Sequence, residues 1–81
     1  MQVQILAAIY SIVKDNKLLP LFPKNLIDIT GCDTQCVEDH FKLFEEEGFV
    51  ERKYPSFKVY SITASGFIAA ETAYREVSQI A

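Results

Sequence analysis

The sequence is short of the residues from which reaction centres and covalent frameworks are made. Among its 81 residues are two cysteines, one histidine, three glycines and three prolines. Two cysteines four positions apart, Cys32 and Cys36, make no disulfide framework, so a reducing, cytoplasmic setting is expected. With a single histidine and so few glycines, no nucleophile–base–orienter set, phosphate-cradling glycine loop or carboxylate pair in a cleft can be assembled. Neither an enzyme nor a cofactor is expected. No apolar run approaches the roughly 18–20 residues that a membrane helix needs. The opening Met1-Gln2-Val3-Gln4 lacks the basic region of a signal peptide, and no small-residue cleavage site follows it. Repeats, low-complexity tracts and Gly/Ser linkers are missing too, and residues 1–81 are expected to form one domain. Positive charge is also in deficit. The net charge is −3, which counts against indiscriminate binding to nucleic acid.

What the chain does have is apolar mass. At 49% apolar it is too hydrophobic for disorder. A chain of this size nevertheless buries only about 60–65% of the surface its unfolded form exposes, so a dimer that covers more apolar area would help it.

Val3, Ile5, Leu6, Ile9, Tyr10, Ile12 and Val13 recur at helical spacing around Ala7 and Ala8, which predicts a first helix over 1–15 with apolar residues on more than one face. The prolines in Leu18-Leu19-Pro20-Leu21-Phe22-Pro23 exclude regular helix there, and this apolar stretch is expected to lie on the core as a lid. Pro23 suits the first position of a short second helix with Leu26 and Ile29 inward, closed by Thr30-Gly31. Asp33 can cap a third helix whose Val37, Phe41 and Phe44 face the core, with Cys32 and Val37 spaced as a hydrophobic staple. Gly48 ends that helix. Phe49–Lys53 and Phe57–Ile62 then read as strands around a Tyr54-Pro55-Ser56 turn. Thr63 caps a last helix from Ala64 to about Gln79, with Phe67, Ala70, Tyr74 and Val77 on one stripe. The expected fold is mainly α with a small β-hairpin: a first helix (1–15), a helix-turn-helix (23–48), a wing hairpin (49–62) and a last helix (63–80).

The run from Leu26 to Val50, with Leu26, Thr30-Gly31, Asp33, Val37, Leu43 and Gly48-Phe49-Val50 in register, resembles the core of a winged helix-turn-helix domain. Downstream, Tyr60-Ser61-Ile62-Thr63-Ala64-Ser65-Gly66 is similar to the Tyr-x-Leu-Thr-x-x-Gly that leads from the second wing strand into the last helix. Such runs occur in small repressors of the multiple-antibiotic-resistance, arsenic-repressor and phenolic-acid-repressor types. The resemblance implies a regulator that binds double-stranded DNA, its third helix in the major groove and its wing on adjacent phosphates or the minor groove. The apolar surface of the first helix and the stripe of the last exceed what such a core with a hairpin can cover; either they cover each other within one chain or, as expected here, they build a homodimer that presents two recognition helices to two half-sites.

On this reading the outer face of the third helix is Thr34, Gln35, Glu38, Asp39 and Lys42. Gln35 suits adenine, and Glu38 or Asp39 suits the cytosine amine. The bland alternative is a solvated polar face. Arg52, Lys53 and Lys58 cluster in the hairpin with Tyr54 at its tip, suited to phosphates or simply to blocking edge-to-edge pairing. Lys24 and Asn25 open the second helix, where a phosphate can sit. Glu38 and Asp39 would nevertheless approach a duplex whose phosphates repel them, and they equally suit a basic protein partner. Cys32, Cys36 and His40, at successive steps of four, are ligand types suited to zinc. They serve as well as small half-buried residues, and the two thiols as a regulatory disulfide.

Overall fold

The computed structural model describes residues 2–54 and 58–80, the side chains of 79 and 80 excepted. The chain runs α1 (Gln2–Val13), α2 (Pro23–Thr30), α3 (Thr34–Glu46), β1 (Val50–Arg52), β2 (Tyr60–Ile62) and α4 (Ala64–Ile80). This is a winged helix-turn-helix. β1 and β2 are antiparallel, with Val50 opposite Ile62, Glu51 opposite Ser61 and Arg52 opposite Tyr60. The strands are shorter than the alternating pattern predicts, although the Lys53 amide still donates to the Val59 carbonyl (2.9 Å) one rung further out. Part of the expected Tyr54-Pro55-Ser56 turn, and Phe57 at the expected start of the second strand, lie outside the described residues.

One core joins all six elements. Ile5, Ile9 and Val13 from α1 meet Leu26, then Val37, Phe41 and Phe44 from α3, and Ala70 of α4, all with no exposed surface. The first helix is covered mainly by α4, where Tyr10 rests on Phe67 (ring centroids 5.5 Å apart) and Tyr74 (5.0 Å). Its broad apolar surface therefore finds most of its cover within the chain. Phe41 carries the ring of Tyr60 at 4.7 Å, which seats the wing on α3.

Two expected placements need correction. Ile29, expected inward, is 53% exposed. A helix of eight residues turns only one narrow stripe to the core, and Leu26 with half-buried Ile27 fills it. The proposed lid is mostly open as well, since Leu18 is 83% exposed. Only Leu21 and Pro23 in that stretch are buried. Leu21 does more than cover: its amide donates to the Tyr60 carbonyl (2.7 Å) and its carbonyl accepts from the Tyr60 amide (2.9 Å). The segment between the prolines thus adds an isolated rung to the far side of β2.

The junctions follow from particular residues. Gly31 stands at φ 74° with nothing near its missing Cβ, and its amide donates to the Ile27 carbonyl (2.9 Å). Backbone angle, and not space, requires glycine there. Helix α3 closes with Gly48 at φ 78°, the Phe49 amide on the Phe44 carbonyl (2.8 Å) and the Gly48 amide on the Glu45 carbonyl (3.1 Å). This is the Schellman closure, with the Phe44 and Phe49 rings in contact at 6.3 Å. At the other end of the wing, Thr63 accepts from the Gly66 amide (3.0 Å) as the cap of α4. Its hydroxyl donates to the Gly48 carbonyl (2.6 Å), and its own amide donates to the Phe49 carbonyl (3.0 Å). Gly66 then lies so close that a Cβ would fall 1.9 Å from the Phe49 oxygen.

The two glycines therefore fail differently when replaced. Gly66→Ala is expected to lower stability by about 2–3 kcal/mol through overpacking against backbone, with Asn no better. Gly31→Ala is expected to cost about 1–2 kcal/mol for the left-handed angle, and Gly31→Asn noticeably less. Urea unfolding of the four variants measures both.

Candidate nucleic-acid interface

The presentation of α3 begins at its cap. Asp33 accepts from the Cys36 amide (2.8 Å), which satisfies one orphan donor and puts a carboxylate where the helix dipole favours it. With Val37, Phe41 and Phe44 inward, Thr34, Gln35, Asp39 and Lys42 stand exposed on the outer face and Glu38 half-exposed.

Two grooves flank that face. One, of about 420 Å³, lies between the start of α2, the start of α3 and the wing; it is lined by Phe22, Pro23, Lys24, Ile27, Thr34, Glu38 and Lys58. The other, of about 280 Å³, runs between α3 and the wing and is lined by Gln35, Glu38, Asp39, Lys42, Arg52, Lys58 and Tyr60. The structure thus gathers eight of the ten residues proposed from sequence, Lys24 included, around one continuous surface. Glu38 and Lys58 border both grooves. Lys53 and Tyr54 are exposed farther along the wing.

The polar groups on this surface are largely paired with one another. The Lys58 ammonium meets the Glu38 carboxylate across the gap between wing and helix. Arg52 reaches Glu45 (3.6 Å) and donates to the Tyr60 hydroxyl (3.2 Å), with its guanidinium 5.6 Å from the Tyr60 ring centre. The Gln35 amide donates to Asp39 (2.8 Å). Sequence reading sets Glu38 and Asp39 against phosphates that repel them; each has a partner here. Among the described residues, Lys24, Lys42 and Lys53 make no ion pair.

The Cys32–Cys36–His40 series has a local role. His40 Nδ1 lies 2.8 Å from the Cys36 carbonyl and 3.7 Å from Cys36 Sγ, so that nitrogen is engaged with its own helix. Its ring also neighbours Phe44, at 6.1 Å. Both cysteines are half-buried, and Cys32 touches the core as a small apolar residue. Among the described residues no three His, Cys, Asp or Glu side chains converge as a metal site. Burial pushes the Cys36 thiol above the ordinary range, and the neighbouring Cys32, with Asp33 and Asp39, adds to the effect. Thiolate, the form that binds metal or attacks a disulfide, is thereby disfavoured.

Sequence reasoning looks to the first and last helices for a pairing surface and misses that the end of α2 borders the same groove. Ala7, Ala8, Ser11, Ile29, Tyr74 and Val77 line an open, mainly apolar groove of about 390 Å³ where α1, α4 and the end of α2 meet. The available signal was Ile29, which has no inward position to fill on so short a helix.

Among solved structures, that of SSV1 F-93 is similar to this chain, with a TM-score of 0.69 at 21% identity over 98% of this chain and 87% of that one. The likeness is one of fold. No family model matches the sequence, and no curated protein matches it. No described helix is long and apolar enough to cross a membrane.

Removing the neighbouring thiol should move Cys36 in a known direction. Cys32→Ser is expected to lower the pH at which the Cys36 thiol ionises, because a repelling partner is lost, while burial still holds it above the ordinary range. The ¹³Cβ shift of Cys36 followed against pH in both proteins reports the change.

Proposed function

We propose that the chain is a DNA-binding transcription regulator that occupies duplex DNA as a homodimer, through α3 and the wing. The observation that carries this reading is the joining of Lys24, the outer face of α3 and the basic wing into one surface on a winged helix-turn-helix. Thr34, Gln35 and Lys42 are suited to base edges, while Lys24 and Lys53 are suited to phosphates. Arg52, Tyr54 and Lys58 complete the wing side of the contact, and Glu38 and Asp39 border it. The protein acts as a binding protein and not as an enzyme, in the cytoplasm where its target lies.

Pairing of two copies is supported by apolar side chains left open on α1, α4 and the end of α2: Val3, Ile29, Tyr74 and Val77 are each more than a third exposed. A twofold interface there would cover the groove along α1 and place two recognition helices on one face.

A specific observation favours a second reading, a module that binds a basic protein through α3. Asp33, Glu38, Asp39 and Glu45–Glu47 give that helix and its caps six carboxylates against the single Lys42.

Anisotropy titration of labelled genomic duplexes at low salt separates the two. Binding at or below micromolar concentration is expected, and no binding at tens of micromolar ends the DNA reading. Glu38→Lys with Asp39→Lys should tighten DNA binding if the face meets phosphates, whereas capture of a basic partner would be lost. Lys24→Ala or Lys53→Ala is expected to flatten the plot of log affinity against log salt by about 0.9 each, one phosphate contact apiece. For the dimer, sedimentation equilibrium should give twice the chain mass, and Ile29→Glu with Val77→Glu should return it to the monomer.

A further inference from the structure

The pairing of charges across the gap between α3 and the wing has a consequence for how DNA is selected. Of the two wing cations held by helix carboxylates, Arg52 is secured by Glu45, the Tyr60 hydroxyl and the Tyr60 ring together. It is part of the seat that keeps the wing on α3. Lys58 is different. Among the described residues its ammonium has one partner, Glu38, and its side chain is 67% exposed against 27% for that of Glu38. The lysine is free to swing away, while the carboxylate sits half-buried on the helix where both grooves meet.

We propose that Glu38 is a specificity-determining residue that withholds Lys58 from indiscriminate phosphate contact by occupying it as an internal stand-in for phosphate. This rests on the reading of the surface as a DNA interface. Exposed ion pairs are weak, so the pair does not lock the wing. Its effect lies in the accounting of ions. When a free lysine meets a phosphate, a counterion leaves the duplex and affinity gains the entropy of its release. When Lys58 leaves Glu38 for a phosphate, the stranded carboxylate beside the duplex gathers a cation in its place. The exchange is nearly neutral, so the wing gains little on arbitrary DNA. A site that offers Glu38 a donor of its own, such as the amine of cytosine, satisfies the carboxylate and releases Lys58 to the backbone together. The acid in the recognition face thus suppresses background binding and lets a matching base restore the lost contact. The overall charge of −3 acts in the same direction, against non-specific attachment.

The test is a double-mutant cycle on the full chain with a labelled 30-base-pair duplex of random sequence. Glu38→Gln keeps the shape of the side chain and removes its charge. It is expected to tighten binding roughly tenfold at low salt and to steepen the salt slope by about 0.9. Lys58→Met should cost at most about twofold in the wild type but roughly tenfold in the Glu38→Gln background. Equal costs of Lys58→Met in the two backgrounds would overturn the proposal, because Glu38 would then act on the duplex without Lys58. So would a Glu38→Gln protein that binds random DNA no better than the wild type. In either case, retained binding by all four proteins leaves the DNA reading standing. A complete lack of binding by all four would remove that reading and this inference with it.

Discussion

The carbonyl groups of Gly48 and Phe49 take bonds from Thr63, and the backbone of Phe49 lies against a glycine at the third position of α4. The remainder of the architecture depends on this approach. The exit of α3 and the entrance of α4 are separated by the whole wing in sequence, yet this junction makes them neighbours. Once they are joined, α4 can run back only along α1, where Tyr10, Phe67 and Tyr74 close the contact. The wing is in turn held at its base, over Phe41. A threonine for the cap and a glycine for the clearance are small demands on a sequence. They nevertheless set the relative position of α3, the wing and the helix proposed for pairing.

The charge distribution has to be read at the same scale. A net excess of acid says little about a molecule whose acids and bases face each other across a gap a few ångströms wide. Glu38, Asp39 and Glu45 all lie along α3, and each is engaged by a neighbour: a wing lysine, a glutamine one turn away and a wing arginine. Lys24, Lys42 and Lys53 are the cations on that side without such engagement among the described residues. The surface is therefore a set of neutralised pairs with separate positive points around it, which a count over the whole chain averages away.

Much of the fold was legible from residue pattern because its instructions are local. Asp33 as cap, Gly31 and Gly48 as terminators, Pro23 at a helix start and Thr63 before the last helix each act within a few residues, and all stand in the expected roles. The third helix shows its inner face through the spacing of Val37, Phe41 and Phe44. What was not legible is what depends on distant parts of the chain. Nothing near Leu21 indicates that its backbone will pair with Tyr60, and nothing near Glu38 indicates a lysine twenty positions on. Ile29 looks like a core residue by composition, and only the small circumference available to α2 turns it outward. Gly66 falls in the motif quoted from sequence, but its reason is equally remote: a helix-disfavouring residue locally, it is required because the backbone of Phe49 passes close by.

Tyr60 joins these parts in one residue. Its backbone exchanges two bonds with Leu21, accepting one and donating the other, its ring lies on Phe41 and its hydroxyl accepts from Arg52. The base of the hairpin is thus fixed on three sides. The inclination of the wing is therefore inherited from the packing around one tyrosine: a change of its ring, or of the ring of Phe41 beneath it, would tilt β1 and β2 together, whereas loss of its hydroxyl alone would loosen only the hold on Arg52.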